Sequence, residues 1–238
     1  MRTKSRRVSR MIVVLSCAAL CLSVSGVAQA ALITFSFEGT VVGASSSLNP
    51  PISPNTPIKG FYKFESTTPD LLPGNLVVGR YALSGFSVSF LGTVGKTYTM
   101  GPAGERTIEI VNSFSDAYSV SLARVELDQP QAIVGPSIND FAPRAFQFSI
   151  AGNDDLFTND SLLLAPPSLG AAPFTMTFYR NGVGGLEAVQ ASGGLTSLTL
   201  APVPLPGALL LFGSGLLGLM GISVGRRMMA RPLRSERN

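Results

Sequence analysis

The stretch LITFSFE, residues 32–38, decides the fold, because Thr34, Ser36 and Glu38 alternate with apolar side chains. A period of two puts successive side chains on opposite faces of a β-strand, so this stretch has one apolar and one polar face. The same alternation recurs at residues 61–64, 81–90, 107–111, 118–127, 145–150, 174–179 and 186–200, the last as two shorter runs around Gly193-Gly194. The sequence therefore predicts one all-β domain over residues 31–200, an antiparallel β-sandwich or jelly roll.

The N-terminus carries the three parts of a secretory signal peptide. Basic residues crowd the first ten positions, an apolar run covers 11–24, and Ala28-Gln29-Ala30 forms an A-x-A cleavage site before Ala31. We therefore predict that the signal peptide, residues 1–30, is removed on export. A lipoprotein signal that uses Cys17 is the alternative. Both cysteines of the chain, Cys17 and Cys21, lie in this leader, so we expect a mature protein without disulfide or thiol.

An apolar segment of membrane length lies near the C-terminus. No residue between Glu187 and Arg226 is charged, and a helix over residues 207–225 matches the hydrocarbon core of a bilayer, about 30 Å. Basic residues dominate 226–238, so the positive-inside rule predicts a cytoplasmic tail there and export of everything before the helix. A proline-rich linker, residues 201–206, precedes the helix. A plain single-pass anchor, with Gly221 and Gly225 as a helix-packing motif, fits these properties equally well.

The residues of this region follow a specific order: Val203, Pro204, Leu205, Pro206, then Gly213, Gly215 and Gly218, then Arg226 and Arg227. That order resembles the PEP-CTERM protein-sorting signal in its VPLPA-type variant, with Gly207 where the variant usually has alanine. The resemblance implies recognition by an exosortase, a membrane-embedded cysteine transpeptidase that cuts exported precursors near the proline motif. It also implies an exopolysaccharide-producing, biofilm-forming Gram-negative source.

A second stretch resembles an ectodomain pattern that recurs in PEP-CTERM proteins. It comprises GFYKFESTTPD at residues 60–70, followed by Arg80-Tyr81 and GFSV at residues 85–88. That pattern has no known function, so the resemblance bears on fold and family alone. The same residues also fit a plain strand that starts at Gly60 and ends in a Thr-Pro-Asp turn.

Charge and composition exclude several classes of function. Residues 31–203 hold eight Lys or Arg and thirteen Asp or Glu, a net charge of −5, although the whole chain has a formal charge of +4. Nucleic acid is therefore not an expected partner, because it requires a basic face on the folded domain. The chain contains no histidine, which removes Ser-His-Asp and Cys-His catalysis and the commonest zinc sites. We nominate no catalytic residue.

Three aspartates form the best candidate metal site. Asp154, Asp155 and Asp160 lie in the segment GNDDLFTND, residues 152–160, and loop carboxylates and amides supply the hard oxygen ligands that calcium prefers. The spacing is not that of an EF-hand, and a solvated acidic loop is the alternative reading. Calcium is the one cofactor for which the sequence gives a candidate site.

Glycan chemistry offers two further candidates. Hydrolysis requires two carboxylates across a cleft, and the available pairs are Glu126 with Asp128 and Glu105 with Glu109. Sugar binding usually uses exposed aromatic rings, but the chain has no tryptophan. Its five tyrosines lie in strand-like runs, where we expect them to pack within the sheet. Sugar binding through polar loops remains an alternative.

Three functions compete on this basis. The favoured one is an exported, exosortase-processed envelope or extracellular protein with a structural or adhesive role linked to exopolysaccharide or biofilm matrix. The second is a secreted glycan- or calcium-binding module, and the third is a secreted hydrolase. The expected partners are the export machinery and exosortase, the membrane before processing, and exopolysaccharide.

Overall fold

The computed structural model describes residues 30–92, 95–123, 131–152, 157–182 and 185–202. Its regular structure is eleven strands and one short 3-10 helix (Ser46–Leu48), with no α-helix among these residues. The strands are β1 (Leu32–Ala44), β2 (Pro57–Glu65), β3 (Val78–Ala82), β4 (Gly85–Phe90), β5 (Lys96–Met100), β6 (Glu105–Val111), β7 (Ala117–Ala123), β8 (Ile133–Val134), β9 (Ala142–Ala151), β10 (Pro173–Gly182) and β11 (Gly185–Leu200). The described residues up to Leu200 form one compact unit.

All eleven strands belong to one antiparallel sheet. Their order is β3-β6-β7-β9-β10-β11-β1-β2-β4-β5-β8. The first and last described strands are neighbours in the middle of this sheet, with Phe35 of β1 opposite Leu200 of β11. One half of the sheet therefore runs from β3 to β10, and the other runs from β1 to β8.

The sheet curls, so that the inner faces of its two halves pack against each other. Phe37 of β1 stacks on Phe146 of β9 with ring centroids 5.8 Å apart, and the hydroxyls of Tyr62 (β2) and Tyr118 (β7) hydrogen-bond at 2.8 Å. The twelve largest fully buried side chains are all phenylalanine or tyrosine, and they pack together with many buried valine, leucine and isoleucine side chains in one core. The predicted all-β antiparallel fold is confirmed, and its strands form one continuous curled sheet.

Two predicted runs differ from the observed strands. The run at residues 81–90 is split between β3 and β4, which pair with β6 and β2 in opposite halves of the sheet. The two runs around Gly193-Gly194 are instead a single strand, β11. A Cβ atom at Gly193 would lie 2.1 Å from the backbone oxygen of Thr40, so glycine is required where β11 passes β1.

Both termini of the described domain leave from one end of the sheet. Tyr62 lies three residues before the end of β2, and Tyr118 is the second residue of β7, so their hydrogen bond brings these strand ends together. The register then places the start of β1, the end of β11, the start of β3 and the β6–β7 turn at the same end. We call this the exit end; the opposite end carries Val42 and Leu186.

The predicted export segments are not described by the structure. The signal peptide up to residue 29 and everything from residue 203 onward, including the predicted helix at 207–225, lie outside the described residues. Within the described part of the chain, no helix is long and apolar enough to cross a bilayer.

Candidate functional site

The residues singled out by the sequence are only partly described. Ala28, the sorting-signal residues from Val203 onward, and Asp154 and Asp155 lie outside the described ranges, as do Glu126 and Asp128. Ala31, directly after the predicted cleavage site, hydrogen-bonds with Ser66 at the end of β2 through its N–H (3.0 Å) and its carbonyl (2.8 Å). Ala30 is partly buried.

The described flanks of the acidic segment, Gly152 and Phe157, are both hydrogen-bonded to a residue that sequence reasoning missed. Asp116 is fully buried, and its Oδ2 accepts a hydrogen bond from the Phe157 N–H at 2.7 Å. The Asp116 carbonyl accepts from the Gly152 N–H at 3.0 Å, so one residue fixes both sides of residues 153–156. Asp160 lies beyond this anchor, where its carbonyl accepts a hydrogen bond from the Tyr81 hydroxyl at 2.9 Å. Among the described residues, no three acidic, histidine or cysteine side chains gather as a metal site.

A groove with a mostly polar lining lies on the outer face of one half of the sheet. Beside Phe148 and Pro173, five polar residues from three adjacent strands line this groove of about 260 Å³: Ser119, Ser121, Gln147, Ser149 and Thr175. The register sets them side by side, with Ser119 opposite Ser149 and Gln147 between Ser121 and Thr175. We call these five residues the polar groove. Hydroxyls and an amide both donate and accept hydrogen bonds, so the groove suits a neutral ligand rich in hydroxyl groups.

A charged margin, Arg80, Glu105 and Glu109, continues this face towards the edge of the sheet. Glu109 lies opposite Ser119 of the polar groove, and its Oε2 accepts from Arg80 Nη2 at 2.6 Å and Nε at 3.0 Å. Arg80 Nη1 also lies 3.9 Å from Glu105 Oε1. The hydrogen bond to Glu109 raises the pKa of Arg80 above its ordinary value. The structure thus brings Glu105 and Glu109 to one guanidinium, as an ion-pair network beside an open groove of about 640 Å³.

The other half of the sheet presents an aromatic ring on its outer face. Phe61 of β2 is partly exposed and lies between Ser36 of β1 and Ser87 of β4. Lys63 Nζ lies 4.8 Å from the centre of its ring, a cation–π contact. The signal for this position was available in the sequence: Phe61 shares the parity of the outward Lys63, whereas Tyr62 and Phe64 point inward.

The tyrosines occupy the places that were predicted for them. Tyr62, Tyr98 and Tyr118 are fully buried, Tyr81 is 6% exposed, and Tyr179 is partly buried. Packing within the sheet is therefore confirmed as the role of the four buried tyrosines. Phe61 and Tyr179 are both partly exposed, and the Arg144 guanidinium lies 4.7 Å from the centre of the Tyr179 ring.

Comparisons with protein-family models, with curated proteins and with solved structures found no match. A function is therefore proposed from the predicted export signals of the sequence and from the surfaces of the folded chain.

Proposed function

We propose that this chain is an exported cell-envelope or extracellular protein with a structural or adhesive role linked to exopolysaccharide or biofilm matrix. It is made as a membrane precursor, loses residues 1–30, and is processed by an exosortase near Pro204-Leu205-Pro206. The support for this route is the leader at one end of the sequence and the ordered PEP-CTERM-like residues at the other.

The structural observation that carries the proposal is the pairing of β1 with β11. Because Phe35 lies opposite Leu200, the predicted cleavage site before Ala31 and the end of β11 at Leu200 both lie at the exit end. Cutting before Ala31 or near Pro204 leaves every described strand intact. The described outer faces of the sheet, with the polar groove and Phe61, would then be available for matrix contacts.

The core is consistent with a domain that is stable outside the cytoplasm without disulfides. The mature chain contains no cysteine, so its stability in an oxidising compartment must come from packing rather than from disulfides. The fully buried aromatic side chains supply that packing, since each removes a large apolar area from water.

A glycan-binding module is the second candidate, and the polar groove favours it. Its test is retention on immobilised exopolysaccharide, with Gln147→Ala in the groove compared with Gln190→Ala, an exposed glutamine of β11 outside the groove. Selective loss of retention in Gln147→Ala supports binding at the groove, and equal retention of both variants argues against it. Calcium binding predicts a higher melting temperature with calcium that Asp160→Asn reduces. For the third candidate, a hydrolase, turnover of an envelope polymer would have to depend on Asp154 or Glu126.

The export route is tested by intact mass of the native protein, taken from cell envelope and medium, with and without the host exosortase. We expect loss of residues 1–30 and a C-terminus near Pro204 that depends on the enzyme. A chain that still ends at Asn238 in both strains would identify a plain single-pass anchor and refute the sorting assignment.

A further inference from the structure

The most exposed apolar side chains of the described chain lie at the exit end. Phe114 is 96% exposed and Leu76 is 88% exposed, and Val77, Leu32 and Leu200 are also exposed there. Burying such side chains is favourable, and large exposed apolar side chains on adjoining turns are candidates for contact with lipid or protein.

The turns that carry Leu76 and Phe114 are both held by hydrogen bonds within the fold. Asn75 Oδ1 accepts from the backbone N–H groups of Val77 (2.9 Å) and Val78 (3.1 Å), which fixes the turn that carries Leu76. Asp116 Oδ1 accepts from the Ser113 N–H at 3.1 Å, which fixes the turn that carries Phe114.

The two turns are also joined, because the Asn112 N–H donates to the Val77 carbonyl at 2.8 Å. Leu76 and Phe114 therefore lie on two turns that are already ordered by hydrogen bonds. Little further conformational entropy is lost when a surface covers these two side chains.

We propose that this apolar tip, Leu76 and Phe114, rests in the lipid surface of the membrane that holds the precursor. The inference rests on the proposed function, because it takes residues 207–225 as the membrane segment. Only residues 201–206 separate the end of β11 from that segment, and six residues span at most about 20 Å. The exit end is thus tethered within reach of the bilayer, and lipid is the apolar phase that can cover it.

Charge specifies the kind of contact. Two partly exposed charged residues lie in the described connecting loops at this end, and both are acidic: Asp70 and Asp160. Anionic lipid would repel them, so the contact is made by apolar insertion at the headgroup boundary. It forms on zwitterionic lipid and persists at high salt, which screens exposed charges.

The test uses the full-length chain in phosphatidylcholine nanodiscs, with Cys17 and Cys21 replaced by serine. Single variants Leu76→Cys, Phe114→Cys and Val42→Cys each carry a nitroxide label. Val42 is the matched control, since it is 75% exposed but lies at the opposite end. Collisions of each label with oxygen, which concentrates in lipid, and with a water-soluble nickel chelate are measured by electron paramagnetic resonance.

We expect labels at 76 and 114 to show a several-fold higher ratio of oxygen to nickel collisions than the label at 42. Equal ratios at the three positions would overturn the lipid contact while leaving the anchor intact. Labels at 76 and 114 shielded from both reagents would indicate a protein contact and would also overturn it. A chain that does not co-purify with the nanodiscs would refute the membrane precursor itself, and the lipid contact with it.

Discussion

The buried tyrosine pair offers a quantitative test of the core. Tyr62 and Tyr118 are fully buried, and their hydroxyls hydrogen-bond to each other at 2.8 Å. Tyr118→Phe keeps the ring but leaves the Tyr62 hydroxyl without that partner inside the sheet. A buried hydroxyl that loses its partner costs about 1–3 kcal/mol. We therefore expect Tyr118→Phe to lower the free energy of unfolding by about that amount, and Tyr62→Phe to act alike.

The double variant separates this explanation from a loss of packing. With both hydroxyls removed, neither ring carries an unsatisfied polar group, and the two aromatic rings still fill the space. The double variant should therefore lose less stability than the sum of the two single variants. Additive losses would show that the two hydroxyls do not depend on each other.

Tyr98→Phe is the matched control. Tyr98 is also fully buried, but its hydroxyl has no hydrogen-bond partner within the part of the chain that the structure describes. Removing that hydroxyl should leave stability unchanged or raise it. The measurement is urea unfolding of the exported protein, followed by far-ultraviolet circular dichroism. If Tyr98→Phe loses as much stability as Tyr118→Phe, the proposed energetics of the pair is wrong.

Three further perturbations follow from the same structure. Burial raises the pKa of all three of these tyrosines, while unfolded tyrosine ionises near pH 10. The contribution of these tyrosines to the free energy of unfolding is thus complete below about pH 10. Above that pH it falls by about 1.4 kcal/mol per pH unit for each tyrosine. Urea unfolding at stepped alkaline pH should show this slope, and the slope should be smaller in the phenylalanine variants. Asp116→Ala should lower the free energy of unfolding by about 1–3 kcal/mol and speed proteolysis around residue 157, because two backbone N–H groups lose their acceptor; unchanged proteolysis would contradict the anchoring role. Gly193→Ala should lower the melting temperature, whereas Gly194→Ala should not, because a Cβ at Gly194 meets nothing within 4 Å; similar melting of both variants would refute the close approach of β1 and β11.

Alternation predicted most of the described strands and their buried faces, but it did not predict the short strands β5 and β8. In β1 it places Phe35 and Phe37 inward with Ser36 outward, as the structure does. It did not show where the chain crosses between halves of the sheet. Tyr81 and Leu83 are buried at odd positions, and Phe86 is buried at an even one. This change of parity marks the point where the chain passes from β3 in one half of the sheet to β4 in the other, which the single predicted run at residues 81–90 did not show.

The polar groove could not be predicted from local patterns. Ser119, Gln147 and Thr175 are far apart in the sequence and meet only through the order of β7, β9 and β10 in the sheet. Each is an ordinary outward residue of its own strand. Asp116 was missed for a related reason, because its role depends on Phe157, more than forty positions further along the chain.

The central position of β11 fixes the order in which this domain can fold. The last described strand, β11, lies between the half that runs from β3 to β10 and the half that runs from β1 to β8. The sheet therefore stays in two pieces until β11 is available. Pairings this distant in sequence form slowly. A chain threaded across a membrane from its N-terminus would therefore complete the sheet only after nearly all of the domain had emerged on the far side. Export and folding would then finish together, and the incomplete sheet would not obstruct translocation.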